Sequence, residues 1–285
     1  MKLYRVERPL IRWRNILLHL CLIAGAVLML YPLIWMLVAS FKPENLILSD
    51  PSLWPKQFTL ENYIEGWTAL GVTFGTFFWN SFLVSTGSVI GNVLTCSMAA
   101  YAFARLKVQL RTFWFAVMLC SIMLPYHAIV VPQFLLFKQL GWVNTYLPLI
   151  VPKFLATDAF FIFLIVQFIR TLPRELDEAA KIDGCGSIQF FWRIIIPLIM
   201  PAVAATAVFT FIWAWSDFFG QLIFLNDPKI YTLPIALRTF LDGTGTSHYG
   251  QLFAMSIFSL VPIFILFLVC QRLLIQGIST SGLKG

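Results

Sequence analysis

Six long apolar runs constrain this chain more than any other feature: residues 16–41, 80–104, 112–137, 146–169, 197–219 and 251–271. A membrane-crossing helix needs about 20 predominantly apolar residues. Within lipid every backbone N–H and C=O must be satisfied inside the segment, so the runs read as helices. The expected fold class is all-α integral membrane, with six transmembrane helices. A content of 59% hydrophobic and 12% charged residues over 285 positions agrees, being too apolar for a soluble domain. Six crossings leave both termini on one side.

That side follows from the Lys/Arg bias, because short loops rich in positive charge stay in the cytoplasm. One face carries Lys2, Arg5, Arg8, Arg12, Arg14, Arg105, Lys107, Arg111, Arg170, Arg174, Lys181, Arg193, Arg272 and Lys284, fourteen basic residues. The other carries Lys42, Lys56, Lys138, Lys229 and Arg238, which is five. Both termini are therefore expected to be cytoplasmic. The division is a cytoplasmic N-terminus at 1–15, a first transmembrane helix at 16–41, an extracellular loop at 42–79, a core of five transmembrane helices at 80–271 and a cytoplasmic tail at 272–285. The core contains a cytoplasmic loop at 170–197 and an extracellular loop at 220–250. A signal-peptide reading, with Val38-Ala39-Ser40 as cleavage site, is disfavoured because the run from Ile16 to Phe41 exceeds the ~7–15 residues of such segments. The net charge of +7 marks topology, and no soluble basic face with interleaved aromatics points to nucleic acid. Five cysteines without CxxC spacing argue against a disulfide framework or a zinc site, and no metal site is expected.

Several features point inward. Pro125 and Pro132 interrupt the third run, and Pro148 and Pro152 open the fourth. Broken helices are tolerated in a membrane where neighbours or a watery cavity satisfy the freed backbone. The second run is rich in small residues, among them Ser81, Ser85, Gly87, Ser88, Gly91, Asn92 and Ser97, which reads first as close helix packing. Lys153, Asp158 and Asp217 fall inside runs, where ionisable groups mark pathways or pairings. A spacing of five puts Lys153 and Asp158 on different faces of a continuous helix, so no direct pair is expected, and one of them should line a cavity. The first extracellular loop, with Trp54, Phe58, Tyr63 and Trp67, has the composition of a segment lying at the headgroups.

The cytoplasmic loop carries the sharpest signal. Thr171-Leu-Pro173 followed by Glu175, Asp177 and Glu178 predicts a helix to about Ile182, stopped by Gly184 and Gly186, with Ser187 capping a second helix. Ala179 and Ala180 leave the first helix bare enough for a partner's groove, and Glu178 offers an anchor for a basic group. Glu178-Ala-Ala-Lys-Ile-Asp-Gly184, with Ile196-Pro197 beyond it, closely resembles the EAA loop of binding-protein-dependent ABC import permeases. The segments Asn80-Ser81, Ala100-Tyr-Ala-Phe-Ala-Arg105, Met123-Leu-Pro125, Trp213 to Phe218, Leu225-Asn-Asp-Pro228 and Tyr231-Thr-Leu-Pro234 are similar to the carbohydrate-uptake branch, in particular its six-span maltose-type subunit.

The resemblance implies a type I ABC importer permease (MetI-like) fold in a bacterial or archaeal cytoplasmic membrane. It implies a second permease subunit as heterodimer partner, two ATP-binding subunits, an extracellular solute-binding protein and a carbohydrate substrate. Glu178, Ala179, Ala180, Asp183 and Gly184 would then couple to the ATPase. Residues of the 220–250 loop, namely Asn226, Asp227, Tyr231, Arg238 and Asp242, would contact the binding protein, and the tail from Gln276 would reach between the ATPases. Lys153, Asp158, Trp213 and Asp217 are the candidate pathway residues, and Phe209, Phe211, Trp215, Phe218 and Phe219 offer further rings for a sugar. A lysine there raises the expectation of an acidic oligosaccharide, with Lys153 or Arg238 facing its carboxylates, beside the neutral one. No glycine precedes a lysine, so no Walker A loop exists; GxSxG and HExxH are also missing, and no catalytic residue is assigned. ATP and Mg would reside on the partner subunits, with no cofactor in this chain. The alternative reading is a secondary, ion-coupled transporter, for which no internal repeat is visible.

Overall fold

The computed structural model describes residues 13–241 and 248–282, and side chains for all of these except Arg14 and residues 273–282. The candidate Asp242, the basic residues Lys2, Arg5, Arg8, Arg12 and Lys284, and the end of the tail lie outside the described residues. All regular structure described is helical. The helices that carry the argument are α1 (Trp13–Ala39), α2 (Phe74–Arg105), α3 (Arg111–Ser121), α4 (Tyr126–Gln139), α5 (Ala159–Thr171), α6 (Glu175–Ile182), α7 (Met200–Ser216) and α8 (Tyr249–Gly282). Four stretches are long and apolar enough to cross a membrane, Asn15–Ala39, Phe74–Arg105, Leu147–Thr171 and Tyr249–Arg272. Two bent pairs raise the number to six if each is one span.

Proline explains the bends. The third run is two helices, α3 and α4, meeting at 99°. Pro125 sits at the N-cap of α4, and its ring keeps the residue before it out of helical geometry. Pro132, expected to break the same run, stays inside α4. The segment Ser187–Leu198 meets α7 at 79°, with Pro201 near the first turn of α7. The fourth run opens as Leu147–Ile150, tightens to a 3-10 turn at Val151–Leu155, and restarts as α5 after Ala156 adopts a left-handed φ of 53°.

The hub is α2, which packs against α5, α7 and the 3-10 turn. Its small residues are the reason. A Cβ on Gly91 would meet Phe154 Cδ2 at 2.6 Å and the Lys153 carbonyl carbon at 3.0 Å, so only glycine admits the broken segment at this depth. Thr95 Oγ1 then donates to Lys153 O at 3.0 Å and accepts from Ala156 N at 3.2 Å, satisfying backbone that the break frees. Asn92 Nδ2 donates to Thr210 Oγ1 on α7 at 2.8 Å, and Asn80 Nδ2 reaches Lys229 O and Tyr231 O. The polar small residues of this run therefore serve intramolecular packing, as read from the sequence.

The segment between α1 and α2 is folded. Buried Lys42 donates to the carbonyls of Asp50 and Ser52 at 2.6 Å each, and Asn62 Nδ2 to those of Ser40 and Lys42 at 2.8 Å each. Hydrogen bonds from Ser52, with the charges of Lys56 and Lys42 nearby, hold the Asp50 carboxyl below its usual range. Glu44 accepts from the N–H groups of Tyr249 and Gly250 at 2.8 Å each, at the positive end of α8, and so clips the exit of α1 to the start of α8. The described part of the 220–250 stretch likewise folds onto the core: Leu225, Leu233, Ala236 and Phe240 are buried.

Gly91→Ala should lower thermal stability by about 1–3 kcal/mol, the usual cost of overpacking against backbone that does not yield. Thermal unfolding in detergent checks this, and an unchanged transition would show that the turn at Val151–Leu155 is free to move away.

Candidate functional site

Two sites emerge, an outward loop and an inward cavity. The loop begins with α6, whose first turn holds Glu175, Asp177 and Glu178, the sign its dipole favours. Its end is a Schellman motif: Cys185 N donates to Ala180 O at 2.8 Å and Gly184 N to Lys181 O at 3.1 Å, with Gly184 at φ +72°. Gly186 caps the next helix, so Ser187, expected to cap it, is its first residue instead. A π-helical turn at Phe191–Ile195 follows, immediately before Ile196 and Pro197, whose missing N–H prevents regular pairing.

The loop divides its residues between two faces. Glu178, Ala179, Asp183 and Gly184 are exposed, together with Ile182 at 86% and Ile188 at 78%. Ala180, expected to bare the helix to a partner, points the other way. It is buried in a cluster with Tyr101, Ile169, Phe190, Phe191 and Ile195, and its small size lets α6 sit close to its own core. The two exposed isoleucines were missed by sequence reasoning, although apolar residues flanking the glycine turn were a visible signal.

Arg105 holds the loop in place. Read from the sequence as a topology marker and as the end of a family-like segment, it lies at the end of α2 with its side chain 5% exposed. Its Nη1 meets Asp177 Oδ2 at 2.5 Å, and Nη2 donates to Leu172 O at 2.7 Å and Ile169 O at 3.1 Å. One guanidinium thus closes the negative end of α5 and neutralises the first turn of α6.

The second site is a cavity of about 760 Å³ between α2, α4, α5, α7 and the break before α5. Lys153, Asp158, Trp213 and Asp217 all line it. The structure corrects the expectation that Lys153 and Asp158 do not meet, since Nζ and Oδ2 are 2.8 Å apart. Helical periodicity does not apply across the 3-10 turn and left-handed Ala156, which fold five residues back on themselves. Asp217 Oδ1 accepts from Gly220 N at 3.0 Å. A Cβ on Gly220 would strike the Asp217 carboxylate and come within 2.9 Å of the Tyr126 hydroxyl, so glycine allows these groups to converge. Trp213, half exposed, stands beside Phe160 and Phe161 as an aromatic wall. Phe211 and Trp215 are buried in the core, which removes them as sugar contacts. Ser88, read from the sequence as a packing residue, also lines the cavity, as do Tyr126, Gln133, Thr210 and Gln221, which were not singled out because only the fold gathers them.

Among the described candidates of the 220–250 stretch, Asn226 and Arg238 are exposed. Asp227 Oδ1 accepts from Lys229 N at 2.9 Å, capping the turn Pro228–Ile230, and the N–H groups of Asn226 and Asp227 donate to Asn144 Oδ1. The Tyr231 hydroxyl donates to Asn226 O at 3.4 Å.

Replacing Arg105 by Gln leaves the end of α5 and Asp177 without their cation. Removing one partner of a buried pair costs about 3–5 kcal/mol at full burial, and less here because Asp177 is partly exposed. Trypsin should cleave at Arg174 and Lys181 at least about tenfold faster in Arg105→Gln than in the parent, measured in detergent. Equal cleavage rates would remove Arg105 as the tether.

Residues 91–280 match the family described as the binding-protein-dependent transport system inner membrane component. The arabinooligosaccharides transport system permease protein AraQ of Halalkalibacterium halodurans is 35% identical over 284 residues, covering 99% of each chain. The trehalose/maltose transport system permease protein MalG of Thermococcus litoralis is 33% identical over 275 residues, covering 95% of this chain and 99% of the relative. A solved bacterial ABC transporter involved in import of the acidic polysaccharide alginate shares the fold, with a TM-score of 0.80 at 21% identity over 92% of this chain and 96% of that one. The chain belongs to the family of inner membrane components of binding-protein-dependent transport systems, and is a multi-pass membrane permease.

Proposed function

We propose that this permease serves an ATP-driven importer of a neutral oligosaccharide, coupling ATP hydrolysis on separate subunits to alternating access of the 760 Å³ cavity. The observation that carries the reading is the rigidly tethered, outward-facing turn at Ile182–Gly184. It presents Glu178, Ala179, Asp183 and two exposed isoleucines while its inner face is continuous with the helices around the cavity. A solid connection of this kind transmits displacement, because packed interiors deform little. Ala180 contributes by seating the helix and leaves contact with the ATPase to its neighbours.

In this reading each bent pair counts as one span, both termini are cytoplasmic, and the membrane is a bacterial or archaeal cytoplasmic membrane. A second permease completes the channel as a heterodimer, two ATPases bind Mg-ATP, and an extracellular binding protein delivers the sugar. Asn226 and Arg238 remain available to that protein, whereas Asp227 and Tyr231 act mainly by shaping the segment.

The preference for a neutral substrate rests on charge. The Lys153 ammonium is already met by Asp158, and Asp217 adds a second carboxylate, so the cavity holds no surplus cation among the described residues. Hydroxyl groups of a neutral sugar suit such a lining, with Trp213 as a stacking surface and the accessible Tyr126 and Gln133 as hydrogen-bonding groups, while Ser88 and Gln221 are buried and bonded within the protein.

Gly184→Pro cannot adopt the positive φ of the turn, and Glu178→Lys reverses the presented charge. Both variants should reach the membrane in normal amount, while sugar-stimulated ATP hydrolysis and uptake fall at least about tenfold in proteoliposomes containing the complete transporter. Normal uptake by both would remove the coupling role. Lys153→Ala should depress uptake of neutral and uronate-containing oligosaccharides equally, and Lys153→Ala with Asp158→Ala should restore part of it. A loss confined to uronates would instead establish an acidic substrate.

A further inference from the structure

A second concavity of about 960 Å³ opens beside the coupling loop, between residues 106–110, the first turn of α3, and α6. Its charged lining is Arg105, Lys107, Arg111, Arg174 and Lys181 against Asp177 and Glu178. Arg105 and Asp177 satisfy each other, which leaves four cations facing the one carboxylate of Glu178. Among the described residues none of these four cations is in an ion pair. Such a concavity focuses positive potential and attracts an anion.

Its depth and its rim narrow the choice of anion. The groove lies where α2 ends and α3 begins, at the ends of two apolar segments, which is headgroup level. Val108, Leu110 and Phe113 line it and are exposed, and Trp114 is exposed next to them. Leu110 takes a left-handed φ of 54°, an uncommon conformation for a bulky apolar residue, with its side chain facing outward. Of the surface offered to the ATPase only Glu178 reaches the groove, and Ala179, Ile182, Asp183, Gly184 and Ile188 do not line it.

We propose that this groove binds the headgroup of an anionic phospholipid of the cytoplasmic leaflet. Lys107, Arg111, Arg174 and Lys181 surround the phosphate, and the acyl chains lie along Val108, Leu110 and Phe113. An acidic protein surface would meet the same cations but would leave the apolar rim in water. Because Arg174 and Lys181 flank the first and last turns of α6, a bound lipid stiffens the coupling helix and links transport to membrane charge. The inference uses the proposed function only to assign the groove to the cytoplasmic leaflet.

The test is retention of phosphatidylglycerol against phosphatidylcholine by the purified full-length permease with whatever subunits accompany it, read by native mass spectrometry. A basic residue near an anionic surface contributes roughly fivefold in affinity, so Lys107→Gln with Arg111→Gln should lower retention about 25-fold. The charge-preserving pair Lys107→Arg with Arg111→Lys should retain the lipid, as should Lys138→Gln at the far end of α4. Undiminished retention in the Gln pair would overturn the proposal. Displacement by millimolar inorganic phosphate would overturn it in favour of a soluble anion. Loss of ATPase subunits with lipid retention unchanged would overturn it in favour of an acidic protein surface. A permease that retains the lipid and never carries an ATPase would instead count against the proposed function and leave the lipid site standing.

Discussion

The guanidinium of Arg105 is the interaction on which the end of the molecule around α6 depends. Its position is severe for a charge: 5% exposed, between the end of α2, the last carbonyls of α5 and the first turn of α6. Removing a charge from water is costly unless opposite charge and acceptors replace the lost hydration. Asp177 and the carbonyls of Ile169 and Leu172 supply both, and the geometry they require fixes where α6 sits. The Schellman turn at Gly184 and the buried Ala180 then determine which residues face outward. A lysine would not serve equally, because one ammonium lacks the planar fork that reaches a carboxylate and two carbonyls together.

The cavity obeys the same logic at bilayer depth. Irregular backbone is tolerated there only where side chains or water satisfy it. The 3-10 turn at Val151–Leu155 is satisfied by Thr95 and accommodated by Gly87 and Gly91, so the small residues of α2 and the break in the fourth run are one device. The break brings Lys153 onto Asp158 and lines the cavity next to Trp213 and Asp217. The result is a polar lining without surplus positive charge among the described residues.

The loop around α6 was the most legible part, since its chemistry is local. Acidic residues in a first turn, a glycine requiring positive φ and prolines beyond it act within a few residues of themselves. Ser187 was misplaced by one position because Gly186 takes the extended conformation that a cap needs. The orientation of Ala180 was misread because two adjacent alanines look alike until the core behind one of them is known. The 220–250 stretch was expected to be a long loop, yet Leu233, Ala236 and Phe240 bury themselves between α2 and α8. Their short apolar run is too brief to reveal by pattern whether a core awaits it.

By itself the sequence determined the all-helical membrane class, the positions of the apolar runs and the form of the turn at Gly184. Hydrophobic length, charge bias and glycine or proline stereochemistry are properties of contiguous residues. Tertiary structure alone decided that Arg105 grips Asp177 across 72 positions. It also decided that Lys153 turns back to Asp158, and that Tyr126, Gln133, Thr210 and Gln221 share one cavity. Those outcomes depend on bends and close approaches between distant helices, where a single left-handed residue or a missing Cβ redirects every side chain that follows.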